Sequence, residues 1–419
     1  MKKYGKRVVV IPDGFADEPI ESLGGRTPMQ AASTPTLDSW ARRAAQGRSH
    51  NVPSTLSPGS DVATLALLGY DPLIAYTGRA PLEAAAQEIE LGADDWAFRC
   101  NLTTLNAGVM QSFTAGHISS EEAAELISSV QREVGTRWSE IAPELGGTVE
   151  FYAGVGYRNL AIFRPESGRP FPFDATTQTV PPHDYSDRSI VEVMPRGAGS
   201  EALNRLMASC AEVLKDHPVN AKRRAEGKLP ATDCWLWGQG KRPSVQSFAE
   251  TYAWGPGAMI TAVDLLRGIA RNLGWDVLNV PGATGYVDTD FGAKGERAAA
   301  ALDEYDVVVV HVEAPDESGH EGSIEKKIYS LEQIDAKTLP PILEKLQSYD
   351  DWRLLVSPDH PTPISIKTHS RGFVPWMIVG SDVAGDGFST YDETTGERAS
   401  RFFPRGQDLM ELFLRGDLK

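Results

Sequence analysis

Runs of β-branched and aliphatic residues recur along the chain without alternation. Val8–Ile11 stops at Pro12, Trp275–Val280 stops at Pro281-Gly282, and Tyr305–Val312 is nearly continuous valine. Arg353–Val356 precedes Ser357-Pro358, and Val374–Val379 stops at Gly380. A half-exposed strand alternates apolar and polar positions, whereas a strand covered on both faces does not. The runs therefore predict a mostly parallel sheet in an α/β fold. Helical spacing lies between them. Ala258–Leu273 sets Ile260, Val263, Leu266, Ala270 and Leu273 on one stripe. Ser119 and Glu122 read as a capping box ahead of Ala123, Leu126, Ile127, Val130 and Val134, and Gly135 stops that helix.

The βα alternation occupies residues 1–78 and 244–419, which predicts one core domain. Residues 79–243 read differently. They carry alternating stretches (Thr148–Gly154, Asn159–Phe163), a proline-rich segment (Arg169–Pro182) and a helix (Ala202–Leu214). This is the pattern of an inserted α+β lid domain, with hinges near Thr77-Gly78 and Gly240–Pro243. Trp235 and Trp237 read as strand packing, and the acid-rich helix Glu121–Glu133 as a solvated face.

With 419 residues the chain can fill two or three domains. Hydrophobic residues are 41% and charged residues 23%, ordinary for a globular protein. The net charge of −16 would repel a phosphate backbone, so nucleic acid is excluded as a partner. A small anionic substrate would need local cations. Cys100, Cys210 and Cys234 are far apart, with no CxxC spacing, which fits a reducing cytoplasm. The basic residues Lys2, Lys3, Lys6 and Arg7 precede an apolar run too short for a signal sequence, and no run approaches a membrane span. The oligomeric state is not legible.

Three strand ends carry the candidate chemistry. The first ends in Pro12-Asp13-Gly14, the valine strand in Asp316-x-x-x-His320, and the Leu354–Val356 strand in Asp359-His360, with His369 soon after. Ligands of open parallel sheets bind beyond the carboxyl ends of strands. Asp13, Asp316, Asp359, His320, His360 and His369 together form a metal-ligand inventory. Mixed carboxylate and imidazole donors suit Mn²⁺ or Zn²⁺ better than Ca²⁺ or Mg²⁺. The six are too many for one catalytic ion and suit a pair about 4 Å apart, as in phosphoryl transfer. The nucleophile candidate is Ser60, in Pro58-Gly59-Ser60-Asp61-Val62-Ala63. It reads as the N-cap of a buried helix, whose free N–H groups suit a bound phosphate.

These segments come in one order with Leu68–Pro72, Tyr76–Arg79, Phe98–Leu102, Ala115–Ser119, Pro281–Gly285 and His311–His320. The series resembles that of the archaeal-type cofactor-independent phosphoglycerate mutases, members of the alkaline phosphatase superfamily, over nearly the whole chain. The resemblance implies two divalent metals, manganese first and zinc, cobalt or magnesium as substitutes. Asp316, His320 and His369 would hold one; Asp13, Ser60, Asp359 and His360 would hold the other, with Ser60 phosphorylated. It further implies that His117 touches substrate or acts as acid and base, and that Arg79, Arg99 and Arg158 grip the carboxylate and phosphate of a small substrate. Larger bacterial members carry a lysine after the inserted domain. Ser247 stands in the comparable stretch here, leaving Lys241 or Lys294 as stand-ins. The alternatives are a related phosphotransferase, homoserine kinase-like or a phosphatase, and a metal-stabilised binding protein without catalysis.

Overall fold

A computed structural model describes residues 4–418; Lys2 and Lys3 lie outside the described residues. The chain divides into two compact units, residues 1–76 with 244–419, and residues 77–243.

The first unit is built on an eight-stranded sheet. Its order is Arg401–Phe403, Ala45–Ser49, Val374–Gly380, Trp352–Val356, Lys6–Pro12, Val307–Val312, Gly257–Ile260 and Asp276–Val277. The four central strands from Trp352–Val356 to Gly257–Ile260 run parallel, in register Val8↔Val308 and Val8↔Leu354. Val8, Val9, Val10 and Val307–Val310 are fully buried, because helices cover both faces of the sheet. That burial is why these strands show no polar alternation. Val374–Gly380 instead runs antiparallel to both neighbours, a direction that burial alone does not encode.

Two sequence expectations need correction here. The helix expected over Ala258–Leu273 is confined to Asp264–Asn272, and Gly257–Ile260 is a buried strand. A short apolar run satisfies strand and helix templates alike, and pairing with the valine strand decided it. The strand expected over Trp275–Val280 shrinks to Asp276–Val277, paired only to Gly257–Ile260 at the sheet edge.

The second unit carries an antiparallel five-stranded sheet around the long strand Trp96–Asn106. Arg158–Arg164 and Asp233–Lys241 flank it, and Thr148–Tyr152 and Val109–Ser112 complete it. The helices Ser120–Glu133 and Ser200–Lys215 bury Leu126, Val130, Leu203 and Leu206 in one core with Phe98, Trp138, Phe163 and Trp235. Ser119 caps the first helix through Glu122 N–H. The Glu122 carboxylate is paired with Arg223.

Candidate metal centre

All seven candidate metal-centre residues lie in the first unit. Parallel strands deliver them to one edge, since strands in register end together. Asp13 follows Lys6–Pro12, and Asp359-His360 follow Trp352–Val356. Asp316 and His320 lie four residues apart on the helix Ala314–Glu321, one above the other on the same face. Ser60 opens the helix Ser60–Leu67.

The side chains converge. Asp316, His360 and His369 present ligand atoms within 4.8 Å of one another, and so do Asp13, Asp359 and His360. His360 belongs to both groups. His320 joins the first: its Nε2 is 3.1 Å from Asp316 Oδ2 and 3.1 Å from His369 Nε2. His320 Nδ1 lies 3.0 Å from the Lys367 carbonyl. A carbonyl only accepts, so Nδ1 carries a proton, and Nε2 is the nitrogen turned toward the cluster, where a cation would displace any second proton. His360 is arranged alike. Thr362 Oγ1 donates to Asp316 Oδ1 and stands 3.3 Å from His360 Nδ1, so it accepts from that nitrogen and leaves Nε2 free.

The electrostatics ask for positive charge. Asp13 and Asp359 are both buried. Burial first, then the carboxylates of Asp359, Asp316 and Glu313, push the Asp13 carboxyl well above its ordinary range. Asp359 Oδ2 is buried and accepts no hydrogen bond, although His360 Nε2 stands 3.4 Å away. An orphaned buried carboxylate oxygen beside a second buried carboxylate is what a divalent cation satisfies, and the donor set fits one. Burial also raises Asp316, but hydrogen bonds from His320 and His369 outweigh it and hold the carboxyl well below its usual range. The same pairing lifts His320 to about 9.

Ser60 faces this cluster. Gly59, in extended backbone, occupies the N-cap position expected for Ser60, which is instead the first helical residue. Its hydroxyl is thereby released from capping. Ser60 Oγ lies 3.1 Å from Asp13 Oδ2 and 3.2 Å from His360 Nε2.

The other candidates sit in the second unit. Arg79 opens the helix Arg79–Ala86. Arg99 is buried, bound by both oxygens of Glu83 at 2.8 and 3.1 Å, with its guanidinium 4.3 Å from the Trp237 ring centre. Burial, and then the charges of Arg79 and Arg158, lower the Arg99 pKa despite Glu83, so the three guanidinium groups are electrostatic neighbours. His117 lies in a turn where Ala115, Gly116 and His117 have φ of 47°, 63° and 52°. Two non-glycine residues in left-handed backbone are strained, and such strain gathers at functional positions. Lys241 is paired with Asp94 at 3.0 Å in this second unit. Lys294, in the first, is buried, lowered to about 8 by that burial, and 3.3 Å from the His311 carbonyl. Ser247 caps the short helix Phe248–Tyr252.

Sequence reading passed over three residues of the centre. Thr362 orients His360. Asn51 Nδ2 donates to the Asp359 carbonyl at 2.7 Å. His311, wholly buried, stands 2.9 Å from Asp13 Oδ2. One signal existed for His311: it is the only polar residue in the strand Val307–Val312.

Comparison with known proteins adds to this geometry. The sequence profile described as 2,3-bisphosphoglycerate-independent phosphoglycerate mutase matches residues 41–220. The enzyme of that name from Methanosarcina acetivorans is 45% identical over 98% of this chain and 100% of its own length. A probable one from Geobacter sulfurreducens is 44% identical over 98% of this chain and 99% of its own. Among solved structures, the cofactor-independent phosphoglycerate mutase of Thermoplasma acidophilum matches with a TM-score of 0.67 at 25% identity, covering 98% of both chains. These relatives are named as enzymes, which sets aside the reading without catalysis.

Proposed function

The chain belongs to the 2,3-bisphosphoglycerate-independent phosphoglycerate mutase family, and from that premise we propose that it interconverts 3-phosphoglycerate and 2-phosphoglycerate through a phosphoserine on Ser60. The observation that carries this reading is the Ser60 hydroxyl, 3.1 Å from Asp13 Oδ2 and 3.2 Å from His360 Nε2 at the start of a buried helix.

Asp316, His320 and His369 would hold one divalent cation, and Asp13, Asp359, His360 and Ser60 a second, with manganese best suited to the donors. Such cations neutralise charge on phosphoryl oxygens and make a serine hydroxyl a usable nucleophile. Ser60 Oγ attacks phosphorus in line. The Oγ–P bond forms as the bond from phosphorus to the 3-oxygen breaks, and the serine proton ends on that oxygen. Asp13 Oδ2 accepts the hydroxyl hydrogen bond and so aims the serine lone pair. The positive end of the helix that Ser60 opens favours the added negative charge. The glycerate reorients, and its 2-hydroxyl takes the phosphoryl group back while Ser60 regains a proton. His117 serves as acid and base on the substrate oxygens. Arg79 and Arg158 recognise its carboxylate and phosphate, with Arg99 held in place by Glu83 beside them. Water must be kept from the phosphoserine, because hydrolysis would make the enzyme a phosphatase. Free buried thiols and a phosphorylated sugar-acid substrate suit the cytoplasm. Among the described residues no helix is long and apolar enough to cross a membrane.

The test is incubation with 3-phosphoglycerate and Mn²⁺, followed by an enolase-coupled assay and peptide mapping. Turnover with phosphate on the Ser60 peptide, both lost in Ser60→Ala, is expected. No turnover, with phosphorylation of homoserine instead, would overturn the reading.

A further inference from the structure

Thr261 and Asp13 directly follow the parallel strands Gly257–Ile260 and Lys6–Pro12, and His311 is the last residue but one of Val307–Val312, the strand between them. His311 pairs with Ile11 one position before the end of Lys6–Pro12, and Val310 pairs with Ile260, so the next residues Thr261 and His311 lie side by side. Thr261 Oγ1 is 3.2 Å from His311 Nδ1, His311 Nε2 is 2.9 Å from Asp13 Oδ2, and Ser60 Oγ is 3.1 Å from that same oxygen. The chain of contacts runs from the edge of the central strands to the nucleophile without a break.

Donor counting assigns the direction of these bonds. Thr261 Oγ1 already accepts from Val263 N–H at 3.1 Å and has one proton to give. With Asp13 ionised, as a cation ligand must be, a proton on Nδ1 would leave the Nε2 lone pair facing a carboxylate oxygen at 2.9 Å, which is repulsive. Thr261 therefore donates to Nδ1, and Nε2–H donates to Asp13. Asp13 Oδ2 thus accepts from both His311 and Ser60, while Oδ1 lies 3.5 Å from His360 Nε2. A carboxylate held this way cannot swing about its own bond. Carboxylates that bind metals are commonly fixed by outer partners of this kind.

We propose that His311, aimed by Thr261, is a positioning residue that sets the rotation of the Asp13 carboxylate, and with it both the metal-facing oxygen and the place of the Ser60 hydroxyl. The inference rests on the role given above to Ser60 and Asp13. His311 and Thr261 are both buried and meet Ser60 only through Asp13. Their removal acts on the chemical step and on cation affinity, not on recognition of the substrate's anionic groups.

Three variants test it: His311→Gln, whose side-chain N–H reaches toward Asp13; His311→Leu, which has no donor; and Thr261→Val, which keeps the shape of Thr261 and removes its hydroxyl. Mn²⁺ affinity is measured by calorimetry on the chelated proteins, and kcat and KM by the coupled assay. His311→Leu is expected to lose about 10–100-fold in cation affinity and in kcat, with KM changed less than about threefold. His311→Gln should regain most of both, and Thr261→Val should lose less than His311→Leu in the same two quantities. Equal losses in the Gln and Leu variants with native melting temperatures, or unchanged affinity and kcat in His311→Leu, would overturn the proposal. Should His311→Leu fail to fold, unchanged affinity and kcat in Thr261→Val overturn it equally. Phosphate on Ser60 of the unaltered enzyme tests the underlying reading separately, so the two failures are distinguishable.

Discussion

Lys327 Nζ lies 2.8 Å from Asp17 Oδ2, and both side chains are buried. The same ammonium donates to the Thr362 carbonyl at 2.8 Å, and Asp17 accepts from Ile364 N–H at 3.2 Å. One ion pair thus pins the loop that separates His360 from His369. Lys327→Met would leave the Asp17 charge buried and alone, and breaking such a pair destabilises by about 3–5 kcal/mol. Urea denaturation of the chelated protein should show a loss of that size. Manganese affinity should fall as well, because the loop carrying His369 is no longer held. A loss under about 1 kcal/mol would show that the pair does not hold the loop.

Gly14, directly after Asp13, has φ of 60° and donates its N–H to Asp359 Oδ1 at 3.1 Å. A Cβ there would come within 2.5 Å of Thr362 Oγ1 and closer still to Asp316 Oδ1. Gly14→Ala therefore pushes two groups of the metal centre out of place and also strains the backbone. Cation affinity by calorimetry should drop by about tenfold or more. Melting of the chelated protein should change less than melting of the manganese-loaded protein.

Chelation should lower the melting temperature, and Mn²⁺ should restore it, since cation binding relieves the crowding of Asp13 and Asp359. At a hundredfold excess over Kd the gain is about 2.7 kcal/mol for one site. His360 is common to both ligand groups. His360→Ala should thus weaken both binding events in a calorimetric titration, whereas His320→Ala should weaken one. A titration in which His360→Ala loses a single event would contradict the shared role.

Glu393 is bonded to Thr27 Oγ1 at 2.7 Å and to Asp17 N–H at 3.1 Å, and burial raises its carboxyl to about 7. The folded state therefore holds the proton more tightly than the unfolded chain. The contribution to stability is full below the unfolded value of 4.5 and is lost as pH rises to about 7. Glu393→Gln removes that dependence. The variant should match the parent near pH 4.5 and exceed it at pH 8 by about 3 kcal/mol at most. Denaturation midpoints across this range measure the difference, and a constant offset between the two proteins would refute it.

Much of the centre could be read along the chain. Asp13, Asp316 and Asp359 follow apolar runs closed by proline or glycine, and a parallel sheet gathers such ends at one edge whatever the topology between them. The spacing of Asp316 and His320 implies a shared helix face. Other features were not legible. Ala258–Ile260 satisfies helix and strand patterns equally, and only pairing with Val307–Val312 settled it. His311 stood out as a polar residue in a valine run, but its partner Asp13 is distant in sequence. Ser60 looked like a cap, because local sequence cannot show that Gly59 takes that position and frees the hydroxyl.

The amino-acid sequence alone determined which residues lie at strand ends, which donors they offer and that the sheet is covered on both faces, because these follow from local periodicity and side-chain chemistry. The folded structure decided which donors share a point in space: that His360 serves two groups, that Thr362 and Lys367 choose its tautomer and that of His320, and that His311 stands behind Asp13. Those relations depend on contacts that local periodicity does not encode, from Lys367 with His320, 47 positions apart, to His311 with Asp13, 298 apart, and the direction of a lone pair is fixed only when the partner is in place.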